Sequence, residues 1–138
     1  MRIPFDSICV ACSASELSEW VGARMQKWVG VDHHTIAIQM YLRTEGWLII
    51  SVDPEAARIH LARRPGVRED SPWVVEMRKL ATDTRLASVT QRGLDRVLDL
   101  ELARGEDRWT LTAELMGKHS NLILRNEQDR CVAAAKWV

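Results

Sequence analysis

No stretch of about 18 apolar residues occurs in the 138-residue chain, so the sequence carries no helical signal for crossing a membrane. The opening MRIPFDSICVACSA falls short of an export signal, because Asp6 interrupts its apolar run and a single arginine precedes it. Both absences predict a cytoplasmic protein. Cysteine is scarce and odd in number, three residues, and thiols in such a compartment stay reduced, so no disulfide is predicted. Net charge is missing as well: 19 basic groups face 19 acidic ones, which excludes long-range attraction of the whole molecule to a polyanion. No proline-rich or glycine-rich tract, linker or repeat divides the chain. At 46% hydrophobic and 28% charged residues it reads as a single domain, long enough to bury roughly two thirds of its unfolded surface.

Tyrosine and phenylalanine appear once each, against six tryptophans, Trp20, Trp28, Trp47, Trp73, Trp109 and Trp137. They fall on separate elements at apolar-face positions, which favours core packing over a stacking platform on a wet sheet face. Metal and redox chemistry finds little support. Cys9-Val10-Ala11-Cys12 has the spacing of a ligand pair but lies in a helical segment without a second pair, so both cysteines read as small packing residues. Cys131 reads as a small strand hydrophobe. His33 and His34 are adjacent in a turn and diverge, and His60 alternates outward from a strand. Neither a metal nor a cofactor is predicted.

The charge is unevenly placed. Residues 1–57 hold 4 basic and 7 acidic groups, residues 58–96 hold 9 and 5, and residues 97–138 hold 6 and 7. The middle third therefore carries +4, mostly as arginine: Arg58, Arg63, Arg64, Arg68, Arg78, Lys79, Arg85, Arg92 and Arg96. Arginine's planar fork suits phosphate. A solvated face explains the same pattern without a ligand.

Apolar spacing at Val10, Ala14, Leu17 and Val21 predicts a helix over Asp6–Val21, capped by Asp6 and stopped at Gly22. Runs rich in branched residues predict strands over Arg24–Val31, Thr35–Leu42, Trp47–Val52 and Arg58–Leu61, with turns at Asp32-His33-His34, Glu45-Gly46 and Asp53-Pro54. Ser71 and Pro72 open a second helix to Ala81, whose apolar face is Trp73, Val74, Met77, Leu80 and Ala81 and whose polar face is Glu76, Arg78 and Lys79. Strands follow over Leu86–Gln91, Arg96–Ala103, Arg108–Met116, Asn121–Arg125 and Cys131–Trp137. In the third of these Trp109, Leu111, Ala113 and Leu115 alternate with Arg108, Thr110, Thr112 and Glu114, predicting one buried and one wet face. Short hairpin-linked strands with two amphipathic helices predict an α+β fold: an antiparallel β-sandwich whose gaps the two helices cover. The apolar ending predicts a fragment of a longer multidomain protein.

Two turns carry the candidate chemistry. In Glu114-Leu115-Met116-Gly117-Lys118-His119-Ser120-Asn121, Gly117 supplies a positive φ while Ser120 and Asn121 bond the backbone, which leaves Lys118 and His119 at an exposed tip. In Gln91-Arg92-Gly93-Leu94-Asp95-Arg96, Asp95 and Arg96 converge on one ligand only from the turn itself. Arg96 offers five donors to a phosphate or base edge, and Asp95 accepts from a base amino group or orients the arginine. Plain hairpins, the second with a surface ion pair, account for the same residues.

Read in order, Pro4-Phe5-Asp6-Ser7, Arg58-Ile59-His60-Leu61, Met77-Arg78-Lys79-Leu80, Arg92-Gly93-Leu94-Asp95-Arg96-Val97 and Glu114 to Asn121 resemble the amino-terminal domain of the NFACT family, the RqcH/FbpA-type ribosome quality-control proteins. The resemblance covers nearly the whole chain, and the last motif is its most specific part. It implies a fold similar to the amino-terminal domain of formamidopyrimidine-DNA glycosylase. It also implies binding of large ribosomal subunits obstructed by peptidyl-tRNA, recruitment of aminoacylated tRNA, and support for an alanine tail on the stalled chain. Within the family the Asp-Arg pair is implicated in tRNA handling, which maps onto Asp95 and Arg96. Arg58, Arg78, Lys79, Arg92, Lys118 and His119 become further RNA or interdomain contacts. Family members continue into a helix-hairpin-helix region, a coiled coil and a carboxy-terminal domain that these residues do not include. Two other functions stay open. A glycosylase-like fold can host base excision, although the amino-terminal proline and adjacent glutamate of such enzymes are not in place in Met1-Arg2-Ile3-Pro4-Phe5. A fibronectin-binding adhesin is the other, with no export signal in its favour. No catalytic residue is predicted.

Overall fold

The structure is a computed structural model that describes residues 7–66, 68–93 and 95–137. The chain runs α1 (Ser7–Ser18), β1 (Arg24–Asp32), β2 (Thr35–Tyr41), β3 (Glu45–Ser51), β4 (Arg58–Ala62), α2 (Pro72–Ala81), β5 (Thr84–Gln91), β6 (Val97–Arg104), β7 (Asp107–Glu114), a single 3-10 turn (Gly117–His119), β8 (Asn121–Asn126) and β9 (Cys131–Ala134). The elements are those the hydrophobic periodicity predicts. Their ends differ where side chains intervene.

The strands form one antiparallel sheet in the order β4-β3-β2-β1-β5-β6-β7-β8-β9, not two separate sheets. It is creased at its middle, where β1 and β5 share only Arg24↔Arg85 and Met25↔Thr84. Helix α1 lies against β4, β5 and β6, and α2 against β1 and β9. In a flat sheet each of those outer pairs would stand five strand spacings apart, roughly 24 Å, beyond the reach of one helix. The sheet is therefore folded over its crease, and the helices close its two sides. Ile36, Ile38, Met40, Leu48 and Ile50 from one half meet Leu98, Leu100, Leu102, Leu111, Leu122 and Leu124 from the other in a single core.

A second, smaller cluster of Val29, Ala37, Trp47 and Ile49 lies on the reverse face of β1–β3, with Val31 and Ala62 packed against it. The β4–α2 connection reaches this face: Gly66 lies by the Val31 side chain, and Glu69 N–H donates to Gly30 O at 2.9 Å. Asp70 Oδ1 accepts from Gly30 N–H at 2.7 Å, and Asp70 Oδ2 from Arg78 at 2.6 Å. Arg78 Nε also donates to Trp28 O at 2.8 Å, so one guanidinium ties α2, the connection and β1 together.

Several local readings are corrected by these contacts. Helix α1 ends at Ser18, not Val21, and the chain leaves through backbone bonds Trp20 N–H to Leu17 O and Ala23 N–H to Trp20 O, with Gly22 at φ +97°. Val10 and Leu17 are buried as predicted, but Val21 lies past the helix and is 41% exposed. The predicted cap Asp6 lies outside the described residues. Glu45 and Gly46 belong to β3, and the turn falls at 42–44. Gly46 is small because Trp20 packs on it: an added Cβ would stand 2.7 Å from the indole. Ser71 makes no side-chain cap bond, and its buried hydroxyl has no partner among the described residues. On the supposedly wet face of β7, Thr112 is fully buried. Trp28 and Trp47 are buried, whereas Trp137 is 63% exposed; Cys12 and Cys131 are exposed too, so neither cysteine packs in the interior. None of the three cysteines forms a disulfide.

Candidate nucleic-acid interface

The two motif turns are brought together at one end of β5–β8. Val97 pairs with Glu114 across β6 and β7, and Leu115 N–H donates to Arg96 O at 2.9 Å, so the turn holding Asp95 and Arg96 touches the connection holding Lys118 and His119.

The first turn is closed by backbone bonds, Arg92 N–H to Val97 O at 3.1 Å and Asp95 N–H to Arg92 O at 3.0 Å, with Gly93 at φ +57°. Gln91 Nε2 donates to Asp95 O at 2.8 Å. Leu94 lies outside the described residues. Asp95 is exposed and Arg96 half-buried, and among the described residues neither side chain has a hydrogen-bond or ion-pair partner. The surface ion pair that a plain hairpin offers is made elsewhere, by Arg92 with Asp99 through bonds of 2.7 and 3.1 Å.

That pair opens a polar chain across the outer face. Thr112 donates to Asp99 at 2.5 Å, Arg125 donates to the Thr112 hydroxyl at 2.9 Å, and Arg125 faces Asp129 at 3.7 Å. Burial opposes ionisation of the Asp99 carboxyl, but the bonds from Arg92 and Thr112 and the charges of Arg92 and Arg125 outweigh it and hold the group below the usual carboxylate range. The bond to Asp99 likewise raises the Arg92 guanidinium above its ordinary value. Sequence reading missed Asp99, Thr112 and Arg125, because each sits in a strand whose alternation looks merely wet; Asp99 faces Thr112 in register, and Arg125, opposite Thr110, reaches Thr112 along a diagonal that no local pattern marks.

The second connection is a 3-10 turn, not a bare hairpin tip. Gly117 adopts φ +61°, and His119 N–H and Ser120 N–H donate to Met116 O and Gly117 O. Lys118 and His119 are exposed. Asn121 fixes the backbone as the sequence predicts: its Oδ1 accepts from Leu122 N–H and Lys136 N–H, and its Nδ2 donates to Lys136 O. This side-chain amide takes the place of a strand neighbour, and β9 accordingly stops at Ala134 and not Trp137. Ser120 does not do as predicted. Its hydroxyl is fully buried and makes no bond among the described residues.

The remaining candidates divide. Gly117 lies near Pro54 O, in the loop leading to exposed Arg58, whose guanidinium donates to Ala56 O at 3.2 Å. Arg58 also lowers the pKa of half-buried His60, as the second cause after burial itself. Arg78 is committed to Asp70 and Trp28 O, and Lys79 stands exposed on α2; among the described contacts neither joins the two turns. No group of three metal-ligating side chains occurs among the described residues, and none of their helices is long and apolar enough to cross a membrane.

A family model described as NFACT N-terminal and middle domains matches residues 6–138. The chain is 25% identical over 126 residues to the ribosome quality control complex subunit NEMF homolog of Drosophila melanogaster, covering 90% of this chain and 13% of that protein. The N-terminal domain of the fibronectin-binding protein PavA of Streptococcus pneumoniae superposes with a TM-score of 0.89 at 25% identity, over 97% of this chain and 54% of that one. The fibrinogen-binding protein of Staphylococcus aureus gives 0.88 at 25% identity, over 99% and 52%. The chain thus spans about an eighth of the fly relative, by its 13% coverage, and about half of the two bacterial structures, by 54% and 52%.

Proposed function

Because the chain belongs to the family of NFACT N-terminal and middle domains, we propose that it is the RNA-docking module of a cytoplasmic ribosome quality-control factor. In this reading it binds aminoacylated tRNA and the stalled large subunit carrying peptidyl-tRNA. It supports alanine tailing of the nascent chain without itself catalysing a reaction. The observation that carries the reading is the turn in which Asp95 and Arg96 have no side-chain partner among the described residues, beside a second turn presenting Lys118 and His119. Such a guanidinium, on a backbone fixed by four hydrogen bonds, is preorganised to grip a phosphate or a guanine edge. A neighbouring carboxylate adds discrimination by accepting from a base amino group.

Arg92 contributes indirectly, since its bond to Asp99 braces the turn, and Arg78 braces α2 in the same way. Lys79, Arg58, Lys118 and His119 are left as direct contacts. The named relative of the fly belongs to a ribosome quality control complex, which supports this partner class.

The test uses the full-length protein bearing Asp95→Ala and Arg96→Ala. The expected result is loss of tRNA co-purification and of tailing, with sedimentation on the large subunit reduced less. Unchanged tRNA recovery and tailing would remove the assignment. A second reading, matrix adhesion, has one observation in its favour: the bacterial structures are named for fibronectin and fibrinogen binding. Finding most of the native protein outside the cell, bound to fibronectin, favours it over work on the ribosome. Strand cleavage at an abasic site would instead favour the glycosylase-like enzyme.

A further inference from the structure

The crease of the sheet carries a feature that the two turns do not use. Along the outer face the register aligns Tyr41, Arg24, Arg85, Ala103 and Arg108 in one row across β2, β1, β5, β6 and β7. Arg24 and Arg85 are direct cross-strand neighbours, an arrangement of like charges that weakens a sheet. Both are exposed, and none of the three arginines has a carboxylate partner among the described residues. Arg85 donates to Gly22 O at 3.1 Å and Arg108 to Gly105 O and Asp107 O, backbone acceptors that leave the charge uncompensated. Two acids lie nearby: Glu45, opposite Tyr41, is engaged by Gln39, and Glu101 lies two residues along β6 from Ala103.

The row borders a depression of about 280 Å³ lined by Arg24, Gln26, Tyr41, Leu42 and Arg85. A second one, about 260 Å³, shares Gln26 and adds Lys27, Arg68 and Arg78. Together they make a cationic groove along β1 in a molecule of zero net charge. At its wall Tyr41 is 51% exposed, an aromatic ring that no interior packing requires. Arg85 lies seven residues along β5 from Arg92, roughly 23 Å, so this surface is separate from the turn of Asp95 and Arg96.

We propose that this groove is a second RNA contact, in which Arg24, Lys27, Arg85 and Arg68 hold the phosphodiester backbone of a single strand while Tyr41 stacks on one base. The proposal rests on the RNA-docking reading and adds a site to it. Charge complementarity favours the occupant: of the groove's cations Asp70 engages Arg78 alone by a hydrogen bond, while Arg24 and Arg85 have no carboxylate partner among the described residues, and such clustered guanidiniums bind phosphates in pairs of donors. Stacking on a single exposed ring tolerates any base. The like-charged crease is then a cost in the free protein that a bound anion relieves.

The experiment titrates the 138-residue chain into fluorescein-labelled single-stranded RNA at several salt concentrations. The variants are Arg24→Gln, Arg24→Gln with Arg85→Gln, Tyr41→Ala, and Asp95→Ala with Arg96→Ala. The double glutamine variant is expected to weaken binding by roughly tenfold or more. It should also flatten the plot of log affinity against log salt by about 1.4, from about 0.7 per lost phosphate contact on a single strand. Tyr41→Ala is expected to lose affinity at unchanged slope. Arg24→Gln alone keeps the Arg85 bond to Gly22 and removes the repulsion, so its melting temperature should hold or rise, which separates lost contact from lost fold. Wild-type affinity and slope in the glutamine variants overturn the groove. If binding then depends only on Asp95 and Arg96, the docking function stands without it. Failure of wild type to bind RNA even at low salt, or stronger Arg24-dependent binding of polyglutamate than of RNA, overturns it as well.

Discussion

At Gly30 the backbone of β1 and the β4–α2 connection come closer than any side chain allows: an added Cβ would lie 2.2 Å from Glu69 O. Gly30→Ala must therefore push the connection away, breaking the bonds from Glu69 N–H and to Asp70. The expected loss is about 1–3 kcal/mol, measured by the urea midpoint. The sequence reading took glycine chiefly as a turn marker, which is right for Gly117 and Gly93, both at positive φ. It misreads Gly46, whose smallness serves Trp20, because close approach between segments distant in sequence leaves no local pattern. The same limit applies to the serines. Ser71 and Ser120 have the composition of caps and turns, yet burial turns both hydroxyls away from bonds that the backbone makes unaided. His60 gives a residue-scale pH effect: its pKa is lowered, by burial first and by Arg58 second, so the unfolded chain binds the extra proton more readily. Stability is then full above the unfolded histidine value, about 6.5, and declines as pH falls towards the folded value. His60→Gln is expected to flatten that slope in urea titrations between neutral and mildly acidic pH.

At the scale of elements, the connection between β4 and α2 depends on one carboxylate. Asp70 is held below the usual range first by Gly30 N–H and then by Arg78. A depressed carboxyl stabilises the fold above its unfolded value, about 3.9, and the contribution disappears as pH falls through the folded value beneath it. Asp99 has the same sign through Arg92 and Thr112, despite its burial. Wild type is therefore expected to lose stability steeply below about pH 4. Asp70→Asn should be less stable at pH 7 and should converge on wild type in acid, followed by tryptophan fluorescence. Equal differences at pH 7 and pH 3 would show that Asp70 acts through shape alone. The existence and type of the elements were legible because branched runs and 3.6-residue spacing are local signals. Long-range bonds, such as the amide of Asn121 on Lys136, set the ends and were not.

Across the whole molecule, strand order between neighbours follows from short hairpins, and the α+β class follows with it. The crease does not, since two residue pairs at β1–β5 carry no sequence signature distinct from any other strand start. What joins the halves is the shared core of leucine and isoleucine side chains, together with Lys136 Nζ donating to Val52 O at 3.2 Å. Backbone bonds from Gly22 N–H to Leu86 O, Leu86 N–H to Ala23 O and Asp83 N–H to Met25 O add to the short ladder at the crease. Heat or urea is therefore expected to unfold both halves in one transition, with far-ultraviolet circular dichroism and tryptophan fluorescence superimposing. Two separated midpoints would mean that the crease divides the molecule into independent units. For the candidate site, proximity of the two turns was not readable from either motif, although both motifs were; the register of β6 on β7 creates it.

The folded sheet ends in two edge strands, β4 and β9, with α1 beside the first and α2 beside the second. Ser13 already donates to Ile59 O at 2.9 Å, occupying one carbonyl that an incoming strand would otherwise seek. Each helix is thereby a guard against intermolecular β-pairing as well as a cover for apolar surface. A change that unwinds α1, such as a proline introduced at Ser13, should make the protein prone to fibrous self-association before it lowers the secondary-structure content of the sheet.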